Sequence, residues 1–167
     1  MQIGETKRPT LVKAWLAVVA WLGIIALEST ETMSAAHTSG WLLMLCHALW
    51  GQNDTPGFET VHFLLRKLGH LCGYGILSVL FFRAWFHSLR GVWKSSMRAL
   101  RSEAAKLAMT CTFLVACMDE WHQSSLPGRT SSFRDVLIDT FGAVLFTMLF
   151  AVWFARQRES RVRNAIV

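Results

Sequence analysis

The chain has 167 residues, 53% of them hydrophobic and only 17% charged, with a formal net charge of +6. Soluble domains carry about 25% charged residues, so this balance excludes an ordinary soluble domain, and the length allows one domain, residues 1–167. Lys and Arg fall between apolar runs instead of gathering in one patch, which excludes a nucleic-acid partner and points to membrane-flanking charge.

A membrane span needs ~20 mainly apolar residues. The first candidate covers residues 11–27, with Lys7, Arg8 and Lys13 at its start. A cleavable signal peptide is the competing reading, since "MSAAH" offers small residues near Ala36. The polar gap before that site is long, and Trp15 and Trp21 suit a retained helix. Next, "WLLMLCHALW" (41–50) is apolar but too short to span. It reads as an interfacial or re-entrant helix anchored by Trp41 and Trp50, followed by the turn-rich link "GQNDTPG". Further spans are expected over residues 60–86, 104–121 and 133–154. A basic loop, 87–106, is expected to be partly helical and to face anionic leaflet lipid.

Lys and Arg concentrate at the N-terminus, in that loop and in the C-terminal tail, whereas residues 28–60 contain none and carry Glu28, Glu31, Asp54 and Glu59. The positive-inside rule then gives an all-α, multi-pass membrane protein. It is a bundle of four transmembrane helices plus a short interfacial or re-entrant helix, with both termini cytoplasmic. The four cysteines, Cys46, Cys72, Cys111 and Cys117, show no CxxC or metal-ligand spacing.

This topology gathers polar residues at the extracytoplasmic side. Arg66, Lys67, His70 and Tyr74 share an arc of roughly 100° on one helix. Asp119, Glu120 and Gln123 end the next helix, and Asp135 and Asp139 stand four apart at the start of the last. Counted at ~1.5 Å per residue, His70 lies some 15 Å below its helix start. Ionisable groups inside spans are costly and persist where they pair or line a wet cavity. The plainer reading is structural. Ser132-x-x-Asp135 fits a capping box, Arg66 and Arg134 can snorkel to headgroups, and a buried ion-pair network can fix helix register.

"RKLGHLCGYGILSVLFF" and "DEWHQSSLPGRTSSFRDVLIDTFGA" together resemble the VanZ-like family of small bacterial membrane proteins. The shared pattern is K-x-x-H-x-x-x-Y, D-E-x-x-Q, a Pro-Gly-Arg loop and D-x-x-x-[ND]-x-x-G. Here it is supplied by Lys67, His70, Tyr74, Asp119, Glu120, Gln123, Arg129, Asp135, Asp139 and Gly142. Asp139 stands where many relatives have Asn. The resemblance covers residues 11–155 and implies a membrane location and an association with resistance to the glycopeptide teicoplanin.

Three functions follow as expectations. The first is a binding site for an anionic membrane lipid, lipid-linked cell-wall precursor or lipoglycopeptide, held by Arg66, Lys67, Tyr74, Gln123, Arg129, Asp135 and Asp139. The second is an enzyme acting on a lipid headgroup. His70 would serve as base or nucleophile, Asp119 or Glu120 would share its proton, and Arg129 would stabilise the transition state. The third is a partner of a transport or export system. No compact metal motif is present, although the four carboxylates with His70 have the chemistry to hold a divalent ion. No cofactor is named by the sequence.

Overall fold

The computed structural model describes residues 8–50, 57–92, 96–127 and 131–164. These are helical, with no strand among the described residues. They form α1 (Arg8–Glu28), a 3-10 turn (Glu31–Met33), α2 (Ala35–Trp50), α3 (Phe58–Leu89), α4 (Met97–Ser124) and α5 (Phe133–Asn164). Three helices contain segments long and apolar enough to cross a membrane, at Thr10–Glu28, Phe58–Leu89 and Phe133–Gln157. The helix expected over 104–121 is present within α4 but falls outside that set. Its uncharged core, residues 107–118, is flanked by Glu103 and Lys106 on one side and by Asp119 and Glu120 on the other.

Local sequence explains the ends. Gly57, at φ 90° in the left-handed region, turns the chain into α3, a conformation that costs glycine little. Ser96 caps α4 by accepting a hydrogen bond from the Ala99 N–H. The short helix is longer than the expected 41–50 because it starts at Ala35. The basic segment 87–106 is mostly helical, shared between the end of α3 and the start of α4.

Helix α3 is the hub, packing on α1, α4 and α5, while α2 touches it lightly. Helix α1 is largely apolar, and among its described side chains only Val18 and Ile25 are buried, leaving Val12, Leu16, Val19 and Leu27 exposed. That pattern suits a helix whose outer face meets hydrocarbon. Helix α4 turns a different stripe inward: Leu100, Ala104, Ala108, Thr112 and Ala116, continued by Glu120 and Gln123. Small residues every fourth position let backbones approach closely, and the stripe changes from apolar to polar at the end that holds the site.

The tightest approach joins α3 to α5. A Cβ on Gly142 would collide with the backbone of Leu71, and one on Gly75 would lie 2.6 Å from the Phe146 ring. Just beyond, Ser78 and Thr147 share a buried 2.6 Å hydrogen bond. At the far end, Phe82, Phe86, Phe150 and Phe154 interlock through stacked and edge-to-face contacts.

The helices alternate in direction, so the end of α1, the end of α4 and the start of α5 meet α3 at one level. Lys67 pairs with Asp135 there, and Ser29 meets His122 at 3.3 Å. The first turns of α3, Phe58 to Arg66, overhang this rim by ~13 Å. The overhang is clasped by the 3-10 turn and α2, through Arg66 to the Met33 carbonyl and Thr38 to His62. His70 thus lies ~18 Å along its own helix but only about one turn below the rim of its neighbours, a shallower setting than its position in the sequence conveys.

Gly142→Ala is expected to destabilise the bundle by about 1–3 kcal/mol or more, because backbone cannot yield as a side chain can. Gly23→Ala, which meets nothing within 4 Å, serves as control. Thermal unfolding in detergent checks this, and equal melting points for the two variants would contradict it.

Candidate functional site

The arc on α3 fans out towards several partners. Arg66 faces the 3-10 turn and α2, donating from Nη1 to the Met33 carbonyl at 3.0 Å and to Thr38 Oγ1 at 3.2 Å. Lys67 turns the other way and forms an ion pair with Asp135, their side chains 26% and 13% exposed. Its ammonium also lies over the Phe63 ring, 5.2 Å from the centroid. Tyr74 donates to Asp119 Oδ2 at 2.9 Å, and Gln123 donates to the same oxygen at 2.9 Å. Two donors on one oxygen fix the orientation of that carboxylate.

His70 stands between these groups. Its Nδ1 is buried and lies 3.4 Å from Asp139 Oδ1, whose side chain is wholly inaccessible. The contact has the distance of an ion pair without hydrogen-bond geometry. Among the described residues neither Asp139 oxygen has a hydrogen-bond partner, although buried polar groups are usually satisfied. Because Nδ1 is buried while His70 remains partly exposed, its accessible surface lies on the rest of the ring, which lines two adjoining cavities. The ring also stacks on Tyr74, 6.3 Å between centroids.

Glu120 has a different setting from Asp119. It is buried, and Oε2 accepts the backbone N–H of Ser132 at 2.8 Å. The reciprocal capping box expected within Ser132–Asp135 is therefore not what forms. Ser132 Oγ accepts from the Arg134 N–H, as a cap should. Its own N–H, however, goes to an acid from α4, and Asp135 is left to pair with Lys67. The cap is split between two helices, and it joins them.

The wider cavity, ≈ 180 Å³, is lined by Glu28, Met33, Thr38, Arg66, Gly69 and His70. The narrower one, ≈ 10 Å³, is lined by residues that include Glu28, Ser29, His70, Tyr74, Asp119 and Gln123. Glu28, Gly69 and His70 border both. The structure thus brings together Arg66, His70, Tyr74, Asp119 and Gln123 at the cavities, with Lys67, Asp135 and Asp139 behind them. Arg129 lies outside the described residues, as does the link at 51–56.

Sequence reasoning missed Glu28, Ser29, Thr38 and His62. Glu28 carried a signal: a carboxylate at the C-terminal end of a helix opposes the macrodipole and needs another reason to be there. Thr38 and His62, 3.1 Å apart, carried none, because they meet only through the fold of α2 over α3. Among the described residues no three His, Cys, Asp or Glu side chains converge as a metal-ligating group.

A family model described as VanZ/LLP1 matches residues 14–154. No curated protein and no solved structure matches.

Replacing Lys67 and Asp135 singly and together by alanine is expected to give a coupling of about 1–2 kcal/mol. That lies between the exposed and buried limits for ion pairs. Unfolding titrations of the four proteins measure it, and a coupling near zero would mean the pair does not tie α3 to α5.

Proposed function

Because the chain belongs to the VanZ/LLP1 family, we propose that it crosses the membrane four times and binds an envelope lipid by its charged headgroup. In this reading α4 is the fourth span, both termini are cytoplasmic, and the cavities open on the extracytoplasmic side of a bacterial cytoplasmic membrane. Two observations support the topology: the absence of Lys and Arg from residues 28–60 and the alternating helix directions. Helix α4 needs no continuous apolar coat to cross, since its small-residue stripe is buried among the other helices.

The observation that carries the binding reading is the ≈ 180 Å³ cavity bordered by Arg66 in the overhang and by His70 one turn below the rim. Sites for drug-sized ligands occupy roughly 300–1,000 Å³, so this volume suits a headgroup or one terminal group of a lipid-linked precursor. A guanidinium presents forked donors to phosphate or carboxylate oxygens. The site's level lets a lipid enter sideways with its chains still in hydrocarbon. Through the family pattern, such recognition is linked to glycopeptide (teicoplanin) resistance or envelope homeostasis.

A second reading, an enzyme acting on the same headgroup, is favoured by His70 and Asp139. A buried acid behind one ring nitrogen and a cavity before the other edge is the arrangement of a general base with its positioning residue. The loose 3.4 Å contact is of the kind that tightens when a substrate is bound. Asp119, which borders the narrower cavity, is better placed than Glu120 to share a proton with the ligand.

Native mass spectrometry of the purified protein with anionic phospholipids tests the binding reading. Arg66→Ala is expected to lower affinity about tenfold or more, as loss of a charge-assisted bond does. Equal binding by both proteins would overturn it. For the enzymatic reading, lipid extracts from cells expressing the wild type should differ from those expressing His70→Ala. Identical extracts would remove that reading and leave binding intact.

A further inference from the structure

An apolar groove of ≈ 520 Å³ lies where the outer faces of α3 and α5 meet. Ile76, Val79 and Leu80 form its α3 wall, and Phe146, Phe150 and Trp153 stand on α5. Gly75 makes its inner edge possible, because only a residue without a Cβ leaves room for the Phe146 ring against α3. Both helices contain candidate membrane spans, so in the membrane reading the groove opens on hydrocarbon.

Its place relative to the cavities says what fills it. At ~100° per residue, Gly69, Gly73, Ile76 and Leu80 lie within an arc of roughly 60° on α3. Gly69 borders both cavities, and Gly73 borders the narrower one. At neither glycine does an atom from elsewhere among the described residues come within 4 Å of where a Cβ would stand. The two glycines therefore leave a trough down this face, from the cavities to the top of the groove. Trp21 of α1, hydrogen-bonded to the Gly73 carbonyl, flanks the trough on one side.

Distance and size agree with a single chain. A rise of ~1.5 Å per residue puts Ile76 ~10 Å and Leu80 ~16 Å below Gly69. Each half of a bilayer holds ~15 Å of hydrocarbon, so a chain descending from the cavities meets the groove with its terminal half. At about 30 Å³ per water-sized group, the groove has room for roughly 17 methylenes, the carbon count of one acyl chain. We infer that the groove holds one acyl chain of the lipid whose headgroup lies beside Arg66 and His70.

This inference rests on the headgroup-binding reading and adds the chain to it. A chain that enters the groove leaves hydrocarbon for hydrocarbon, so it gains no hydrophobic transfer energy. What it gains is fixed contact with aromatic and branched walls. The effect is therefore modest, and it requires a chain long enough to reach those walls.

The test uses the full chain in mild detergent, with native mass spectrometry reporting affinities for two lipids of one headgroup. Dioctanoyl-phosphatidylglycerol carries chains that end above the groove, whereas those of dipalmitoyl-phosphatidylglycerol run into it. Ile76→Trp and Leu149→Trp fill the groove from α3 and from α5. Leu16→Trp, on the exposed face of α1, is the control. Both groove variants are expected to bind the dipalmitoyl lipid about fivefold more weakly than wild type. They are expected to bind the dioctanoyl lipid as wild type does, at melting points like that of the control.

Dipalmitoyl binding unchanged in both groove variants would overturn the inference, and the headgroup reading would stand if Arg66→Ala still weakened both lipids. Equal losses of both lipids in the groove variants would trace the effect to the cavities and overturn it too. A loss in the groove variants that Arg66→Ala does not reproduce would mean a chain held without its headgroup, which overturns both readings. A wild-type dimer that Leu149→Trp disperses would make the groove a contact between copies of this chain, again overturning the inference.

Discussion

Three carboxylates from α4 and α5 are set against successive turns of α3, and the rest of the structure depends on how they are matched. Asp135 meets Lys67, Asp139 meets His70 and Asp119 meets Tyr74. Burying charge in a low-dielectric interior is costly unless it is paired. A slip of one helix by one turn would leave several of these groups without partners at once. The pairs therefore fix the register of α3, α4 and α5, and Glu120 adds a fourth tie by receiving the Ser132 N–H at the start of α5.

Close packing below makes this matching possible. Gly142 lets α5 sit against the Leu71 backbone, and the alanine stripe of α4 brings its polar end to Tyr74 and Ser132. On this three-helix frame α1 contributes one wall, through Glu28 and Ser29 and through Trp21, whose indole donates to the Gly73 carbonyl at 2.9 Å. The 3-10 turn and α2 contribute the other wall through Met33 and Thr38. The cavities thus have a closely packed floor and one lightly held side, that of α2. That division fits a site that admits a ligand laterally while keeping His70 and Asp119 in place.

Much of this was legible in the sequence. The apolar runs located the three candidate spans to within about three residues and α4 to within about seven, and helical spacing put Arg66, Lys67, His70 and Tyr74 on one arc. Both follow from local periodicity. What escaped was set by contacts between distant segments. The partner of Ser132 comes from α4, so a four-residue motif that looked like a self-contained cap is completed from elsewhere, releasing Asp135. The depth of His70 was read from its own helix, but depth depends on where the neighbours end, and α3 overhangs them. Glu28 looked like a loop charge until the end of α1 was seen beside Gly69 and His70.

The central claim is that the cavities beside Arg66, His70 and Glu28 hold a lipid headgroup. The most direct measurement is an experimental structure of the protein in nanodiscs made from native lipid extract. The account predicts density for a headgroup between Arg66 and Glu28, with acyl chains running down the bundle surface. Cavities filled by the protein's own side chains, with ordered lipid only on the outer faces of the helices, would contradict it.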